Sequence, residues 1–423
     1  MLKRTSQLAF ITLISLALAG CPFIWEPKET KEKAGVNDDG FFVINDSNKA
    51  NGFAAQIQVH TSGDIILANN EQINVSGTKD DLTHYFYILK DNGVPAWKRL
   101  YEYPIEIKVQ QEFLDKLPTG VQTYSLRSPH FKMNNDQDAI VIGDQEYTYG
   151  TTTIHSDQIL LYSGSNSQWN HEQTMTAKDH SHHNCSNLEY DEFGRVIDVS
   201  KNGHALITQA KKSGDENRVL LYIKTGNSFQ CEQELTRSNT THTNYGNFIK
   251  ISADGKRVIV TSDQKIYIYD QTPTGWIGPT PITNPFGSAL QDLKVNADGD
   301  VFIIGSTTQY KVYVRGISGS YSEESQIDIT TTSAESTSTI TPDGEHIAIR
   351  VLPTIGSTTS TIYFYKKAES SSLASTTIAD NNITNWPRNV QFAGNDIEYI
   401  FVAGAAQTST LSQSELLRQE TNL

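Results

Sequence analysis

One hairpin signature recurs along this chain, and recurrence at a near-constant period constrains a fold more than any single motif can. Asn202-Gly203, Asp254-Gly255, Asp298-Gly299 and Asp343-Gly344 each sit between two apolar runs. Successive glycines are 52, 44 and 45 residues apart. The runs that follow them read "HALITQ", "RVIVTS", "DVFIIG" and "EHIAIR". Asn-Gly and Asp-Gly tolerate positive φ, so each site predicts a two-residue turn between antiparallel strands.

Two further spacings keep the same register. Phe193-Gly194 and Tyr245-Gly246 stand nine residues before Gly203 and Gly255, and Phe286-Gly287 stands twelve before Gly299. Downstream, a large aromatic follows a tyrosine by seven positions: Tyr162 and Trp169, Tyr222 and Phe229, Tyr269 and Trp276, with Val314 and Tyr321 as a substituted copy. Weaker copies at "FAAQIQVHTSGDIILA", "HFKMNNDQDAIVIG" and "NVQFAGNDIEYIFVAG" extend the series to seven units. These begin near residues 53, 125, 193, 245, 286, 334 and 386, and residues 101–124 form an insertion in the first. Runs such as "KIYIYD" are apolar on both faces, as in a sheet packed between two neighbours.

Short strands separated by Ser, Thr, Asn and Gly make the chain all-β. Only 110–118 and 412–420 carry a short helical pattern. Four strands per unit and seven units predict a seven-bladed β-propeller of four-stranded antiparallel blades. "DGFFVIND" (39–46) can add a strand to the last unit. An open β-sandwich of the same strands is the alternative.

The aromatic-Gly, Asp-Gly and Tyr-aromatic succession over residues 53–405 resembles the FG-GAP repeat of integrin-α-type propellers. That resemblance implies calcium in the turn loops, which takes oxygen ligands at alternate positions. This chain places Lys294 before Asn296 and Asp298, and Lys250 before Ser252 and Asp254. A lysine there repels the cation. Asn134, Asp136 and Asp138 come nearest, but Ala139 replaces the glycine and Ile142 the last acid.

The start of the chain points to an envelope. Lys3 and Arg4 precede an apolar run from Leu8 to Ala19, the pattern of a secretory leader and too short to span a bilayer. Leu18-Ala19-Gly20-Cys21 resembles the bacterial lipobox, which implies a signal peptide over 1–20 and lipidation of Cys21. Residues 21–38, charged and rich in breakers, read as a flexible tether, leaving 39–423 for the propeller. Multiple acyl chains give lasting attachment. Pro22 after the lipidated cysteine resembles the sorting signal for the outer membrane of a bacterial cell envelope.

Loss of Lys3 and Arg4 with the leader takes the formal charge from −14 to −16, which argues against nucleic acid as a partner. One cluster has metal-ligand chemistry: Asp179, His180, His182 and His183, beside Cys185. Imidazole and thiolate suit a transition metal, although the paired spacing of a structural zinc site is missing. A polar linker is the plainer reading. Once Cys21 is lipidated, Cys185 and Cys231 are the remaining cysteines, and a disulfide between them would consume the thiol.

No G-x-S-x-G, H-E-x-x-H, P-loop or dinucleotide fingerprint is present. No cofactor is therefore expected, calcium and a transition metal being the classes left open. The expected role is a lipid-anchored, non-enzymatic binding or scaffold module for a protein or glycan. Contact is expected through residues 101–124, 144–158 and 172–192. The alternative is a propeller hydrolase or lyase acting on polysaccharide, which requires a central pocket lined by carboxylates and aromatic rings.

Overall fold

The computed structural model describes residues 41–44 and most of 53–420; residues 1–40, 45–52, 109–123, 177–184, 380–388, 406–413, 421–423 and shorter stretches between strands lie outside it. The described residues form antiparallel sheets, mostly four-stranded. β1 (Phe41–Ile44) pairs with β34 (Ser414–Glu420), beside β33 (Asp396–Ala405) and β32 (Asn389–Ala393). A second sheet holds β2 (Phe53–Val59), β3 (Ile65–Asn70), β5 (Thr83–Lys90) and β6 (Lys98–Arg99), with β7 (Ile105–Lys108) also on β5. The third holds β9 (Phe131–Met133), β10 (Ala139–Ile142), β13 (Gln158–Ser165) and β14 (Gln168–Thr176).

In the fourth sheet, β15 (Tyr190–Asp191) and β16 (Ile197–Val199) both pair with β17 (Ala205–Lys212), followed by β18 (Glu216–Thr225) and β19 (Ser228–Leu235). Three simple meanders follow. They are β20 (Ile249–Ile251) with β21 (Arg257–Thr261), β22 (Lys265–Thr272) and β23 (Gly275–Thr283); β24 (Asp292–Val295) with β25 (Val301–Gly305), β26 (Gln309–Arg315) and β27 (Tyr321–Asp328); and β28 (Glu335–Ile340) with β29 (His346–Leu352), β30 (Thr359–Lys366) and β31 (Ala374–Ala379).

One sheet has no counterpart in the repeat. β4 (Gln72–Val75), β8 (Tyr124–Arg127), β11 (Glu146–Tyr149) and β12 (Thr152–His155) pair in the order β12-β11-β8-β4. Residues 144–158, expected as a contact loop, instead contain the β11–β12 hairpin of this added sheet. The second expected helix is also a strand: 412–420 contains β34, bonded on both sides by β33 and β1. Pairing on two edges outweighs a weak local preference. The other, 110–118, lies outside the described residues.

Side-chain alternation divides each sheet between two cores. On β21, Val258 and Val260 pack toward β17 and β18, whereas Ile259 packs toward Phe302 of β25. On β25, Phe302 and Ile304 face that second core, while Val301 and Ile303 face Ile347 and Ile349 of β29. This double burial is why these strands read as unbroken apolar runs. The outer β23 is mostly exposed, and β27 exposes Ser322, Glu323, Glu324 and Asp328 while burying Ser325 and Ile327. The resulting fold is propeller-like.

The turns differ from expectation in type. At Gly203, Gly255, Gly299 and Gly344 φ lies between 68° and 79°, but the preceding Asn or Asp is not at positive φ. Gly255 N–H donates to Ser252 O at 3.0 Å, and Ser252 N–H to Arg257 O at 2.9 Å. The connection is therefore a longer loop with one left-handed glycine, not a two-residue turn. A polar side chain closes each loop from its first position. Ser200, Ser252, Asn296 and Thr341 accept from the backbone N–H five residues on, at 2.9, 2.9, 2.9 and 3.0 Å, and Asn134 does so from Ala139 at 3.1 Å.

The aromatic-glycine pairs have a packing explanation. Phe193 and Tyr245 are buried between sheets, and Gly194 and Gly246 take φ of 91° and 84°. A Cβ on either would come within 2.8 Å of Ile159 or Val219 of the preceding sheet. Gly287 has nothing within 4 Å. Its place in the pattern is taken by Gln291, which donates to Gly305 as Gly246 does to Thr261. The Tyr-aromatic spacing marks a bulge that recurs at Tyr162, Tyr222 and Tyr269. In the β26–β27 pair the bulge falls at Tyr313, one residue before the expected Val314.

Two sheets come close at Gly143, where an added Cβ would lie 2.3 Å from the backbone oxygen of Gly194. Asp144 N–H donates to that same oxygen at 2.9 Å. Gly143→Ala is expected to destabilise the protein by about 1–3 kcal/mol through overpacking. A urea midpoint equal to wild type would show that the two sheets part there at no cost.

Candidate ligand cavity

The inner strands lie against one another in succession. β9 meets β16, then β16 meets β20, β20 meets β24, β24 meets β28, and β28 meets β32. β2 lies against β32, and Gln58 of β2 bonds both the N–H and the carbonyl of Met133 in β9, at 2.8 and 2.7 Å. Between these strands is a cavity of about 230 Å³ lined by residues from all of them. Lys201, Ala253, Ala297 and Pro342, from the loops that follow the inner strands, also line it.

The strands present equivalent positions to this space. Lys132, Asp198, Lys250 and Lys294 each stand two residues before the loop-closing residue of their strand. Thr339 holds the same place on β28. Gln58 of β2 and Gln391 of β32 complete the far wall. One arc of the cavity is cationic and the other neutral.

The carboxylates here act as stitches between strands. Asp198 Oδ2 accepts from Ile251 N–H of β20 at 3.0 Å, while Oδ1 faces Lys132 Nζ at 3.1 Å and Lys250 Nζ at 3.6 Å. Asp292 Oδ2 accepts from Ser338 N–H and Oγ of β28 at 2.6 and 2.7 Å, and Oδ1 accepts from Lys294 Nζ at 2.8 Å. These carboxylates are sunk in the wall, their side chains 9% and 7% exposed, whereas the Lys132, Lys250 and Lys294 side chains are 28%, 25% and 33% exposed.

Charge in a confined space shifts protonation. Burial pushes the Lys250 ammonium down to about 8; Asp198 opposes this, Lys132 and Lys294 add to it, and Asp292 opposes it. Lys201 is also lowered, by burial, against the attraction of Asp298. Burial by itself would raise the Asp198 carboxyl, but Lys250, Lys132 and the Ile251 N–H hold it below the usual range.

The Lys250 shift has a testable consequence for stability. The folded chain releases this proton near pH 8, and the unfolded chain keeps it to the ordinary value of 10.5. Within that window the unfolded state binds more protons, so raising the pH favours folding. Comparing urea unfolding at about pH 7.5 and about pH 9.5 should show stability changing more favourably with pH in wild type than in Lys250→Gln, where the lowered Lys201 still contributes. Equal pH dependence in both proteins would refute the assignment.

Cys185 is joined to Cys231 of β19, with Cα atoms 6.2 Å apart. Cys21 and the set Asp179, His180, His182 and His183 lie outside the described residues, as do Asp136 and Asp138. Asn134 closes its loop, and Asp254 Oδ1 accepts from Ser252 Oγ and Lys256 N–H at 2.7 and 3.0 Å. These are turn bonds. In the segment 144–158, Asp144 bonds His155 Nδ1 at 2.5 Å, Ser156 Oγ at 2.8 Å and Asp157 N–H at 2.9 Å. The bond to Asp144, the largest cause, raises the His155 pKa. The serine hydroxyl is directed to the carboxylate, so the trio is not ordered as a nucleophile-base-acid relay.

Sequence reasoning missed the lysine arc. Lys250 and Lys294 entered it only as residues that repel calcium. The available signal was their identical offset from the turn glycine, which puts them at one level of adjacent strands.

No family model matches the chain, and no curated protein matches it. Three solved structures resemble it in outline. A functionally unknown protein from Desulfotomaculum acetoxidans DSM 771 matches at TM-score 0.48 and 8% identity, over 79% of this chain and 92% of that one. A chain of the mitotic checkpoint complex matches at 0.49 and 12%, over 89% and 88%. A protein from Lactobacillus plantarum matches at 0.47 and 9%, over 75% and 83%. At such scores the likenesses carry no argument about fold or function.

Proposed function

We propose that this chain is a seven-bladed β-propeller of the FG-GAP-like kind, held at the bacterial outer membrane by lipid on Cys21, and that it binds a protein or glycan without catalysis. The observation that carries this reading is the cavity to which successive inner strands, β2 through β32, each contribute a wall residue. Such an assembly is rigid at its centre and offers loops at its rim, the usual layout of a binding platform. Lipidation rests on the spacing of Leu18-Ala19-Gly20-Cys21.

The polysaccharide hydrolase alternative calls for a pair of carboxylates facing the substrate. Among the described residues lining the cavity, Asp198 is the carboxylate, and both its oxygens are engaged. That arrangement favours binding over hydrolysis. Crosslinking the native protein in cells and identifying its adducts tests the reading. A discrete partner is expected, together with a mature N-terminal peptide bearing acyl chains on Cys21. Turnover of envelope glycans by the purified protein, or an unacylated N-terminus, would overturn the corresponding half.

A further inference from the structure

Resting on that reading, we infer that the central cavity is a binding site for an oxyanion, a carboxylate or sulfate group, gripped by Lys132, Lys201, Lys250 and Lys294. The chain is acidic, with a formal charge of −14, yet among the described residues this cavity is lined by four ammonium groups and a single carboxylate. Unpaired charge in a confined site is costly, so a fold that gathers it needs compensation. The compensation inside the protein is incomplete: Lys294 has Asp292 at 2.8 Å and Lys201 is attracted by Asp298, but Lys132 and Lys250 share Asp198.

Geometry turns this surplus toward the cavity. Asp198 and Asp292 are fixed in the wall by backbone N–H groups of the neighbouring strand, while the lysine side chains retain a quarter to a third of their surface. An oxyanion in the cavity would meet ammonium donors from β9, β20 and β24, and from the loop after β16. Charge-assisted bonds of this kind are about twice as strong as neutral ones. The opposite wall, Gln58, Thr339 and Gln391, is neutral and polar. The volume, about 230 Å³, exceeds the roughly 150 Å³ that accommodates a benzene ring. A bare sulfate or a single anionic sugar ring both fit.

Calorimetric titration of the native chain with inorganic sulfate and with glucuronate tests the site and separates the two sources. Saturable binding is expected, tighter for glucuronate if the group arrives on a sugar and for sulfate if it arrives free. Lys294→Gln and Lys250→Gln should each weaken it at least tenfold, whereas Lys311→Gln, on the outer β26–β27 pair, should leave it unchanged. Affinity should fall as the pH passes about 8 and Lys250, faced by Lys132, Asp198, Lys294 and Asp292, loses its proton. If Lys250→Gln fails to fold, Lys294→Gln and Lys201→Gln carry the test. Absence of binding to both probes, or wild-type affinity in the Lys294 and Lys201 variants, overturns the inference. Crosslinked partners recovered alongside that negative result would leave the binding-module reading standing; loss of both would remove both.

Discussion

Asp198→Ala is expected to destabilise the folded protein by about 3–5 kcal/mol, the range for breaking a buried charged pair by removing one partner. The substitution strips the counter-charge from Lys132 and Lys250 and leaves the Ile251 N–H without its acceptor. It also cuts a link between β16 and β20, strands that lie 53 residues apart in sequence at the Asp198–Ile251 bond. Asp198→Asn should cost less, because an amide oxygen can still accept from Ile251. Urea unfolding of the three proteins at neutral pH gives the order. The sign with pH is fixed too: a carboxyl held below its unfolded value supplies stability that is lost as the pH falls through its folded value. The acid limb of the wild-type curve should therefore be steeper than that of Asp198→Ala. A loss under about 0.5 kcal/mol, the scale of an ordinary surface substitution, would mean that the lysines rather than the carboxylate hold this junction.

The second large effect concerns the bond between Cys185 and Cys231. It closes a loop of 46 residues, which the chain-entropy estimate values at roughly 4 kcal/mol. Both sulfurs sit in the core shared by the third and fourth sheets, beside Met175, Tyr222 and Phe229. Cys231 belongs to the outer strand β19, so the bond ties the connection between two sheets to the far edge of the second. The Cys185→Ala, Cys231→Ala double variant should unfold at a clearly lower urea concentration, with the change centred on that pair of sheets in hydrogen exchange. Native protein should yield no titratable thiol at these positions until reductant is added. Free thiols without reductant, or unchanged stability in the double variant, would contradict it.

The strands were legible because their determinants are local. Period-two alternation, β-branched runs and a glycine at positive φ act within a few residues, so β20–β21, β24–β25 and β28–β29 are visible in "ISADGKRVIV", "VNADGDVFII" and "ITPDGEHIAI". Where local cues were weak the reading slipped. Val314 stood in for Tyr313, Phe286-Gly287 for the position of Gln291, and a helical pattern hid β34. In each case a pairing partner decided the outcome, and a partner many residues away leaves no mark in the local pattern.

By itself the sequence determined that the chain is all-β, that its units repeat at intervals of about 40 to 70 residues, and where most hairpins turn. Only the tertiary structure decided that β4, β8, β11 and β12 join in a sheet of their own, and that four lysines from separate units share one cavity. The reason is physical. Backbone angles and side-chain alternation are set by near neighbours, whereas a cavity and its charge are set by which distant strands pack together.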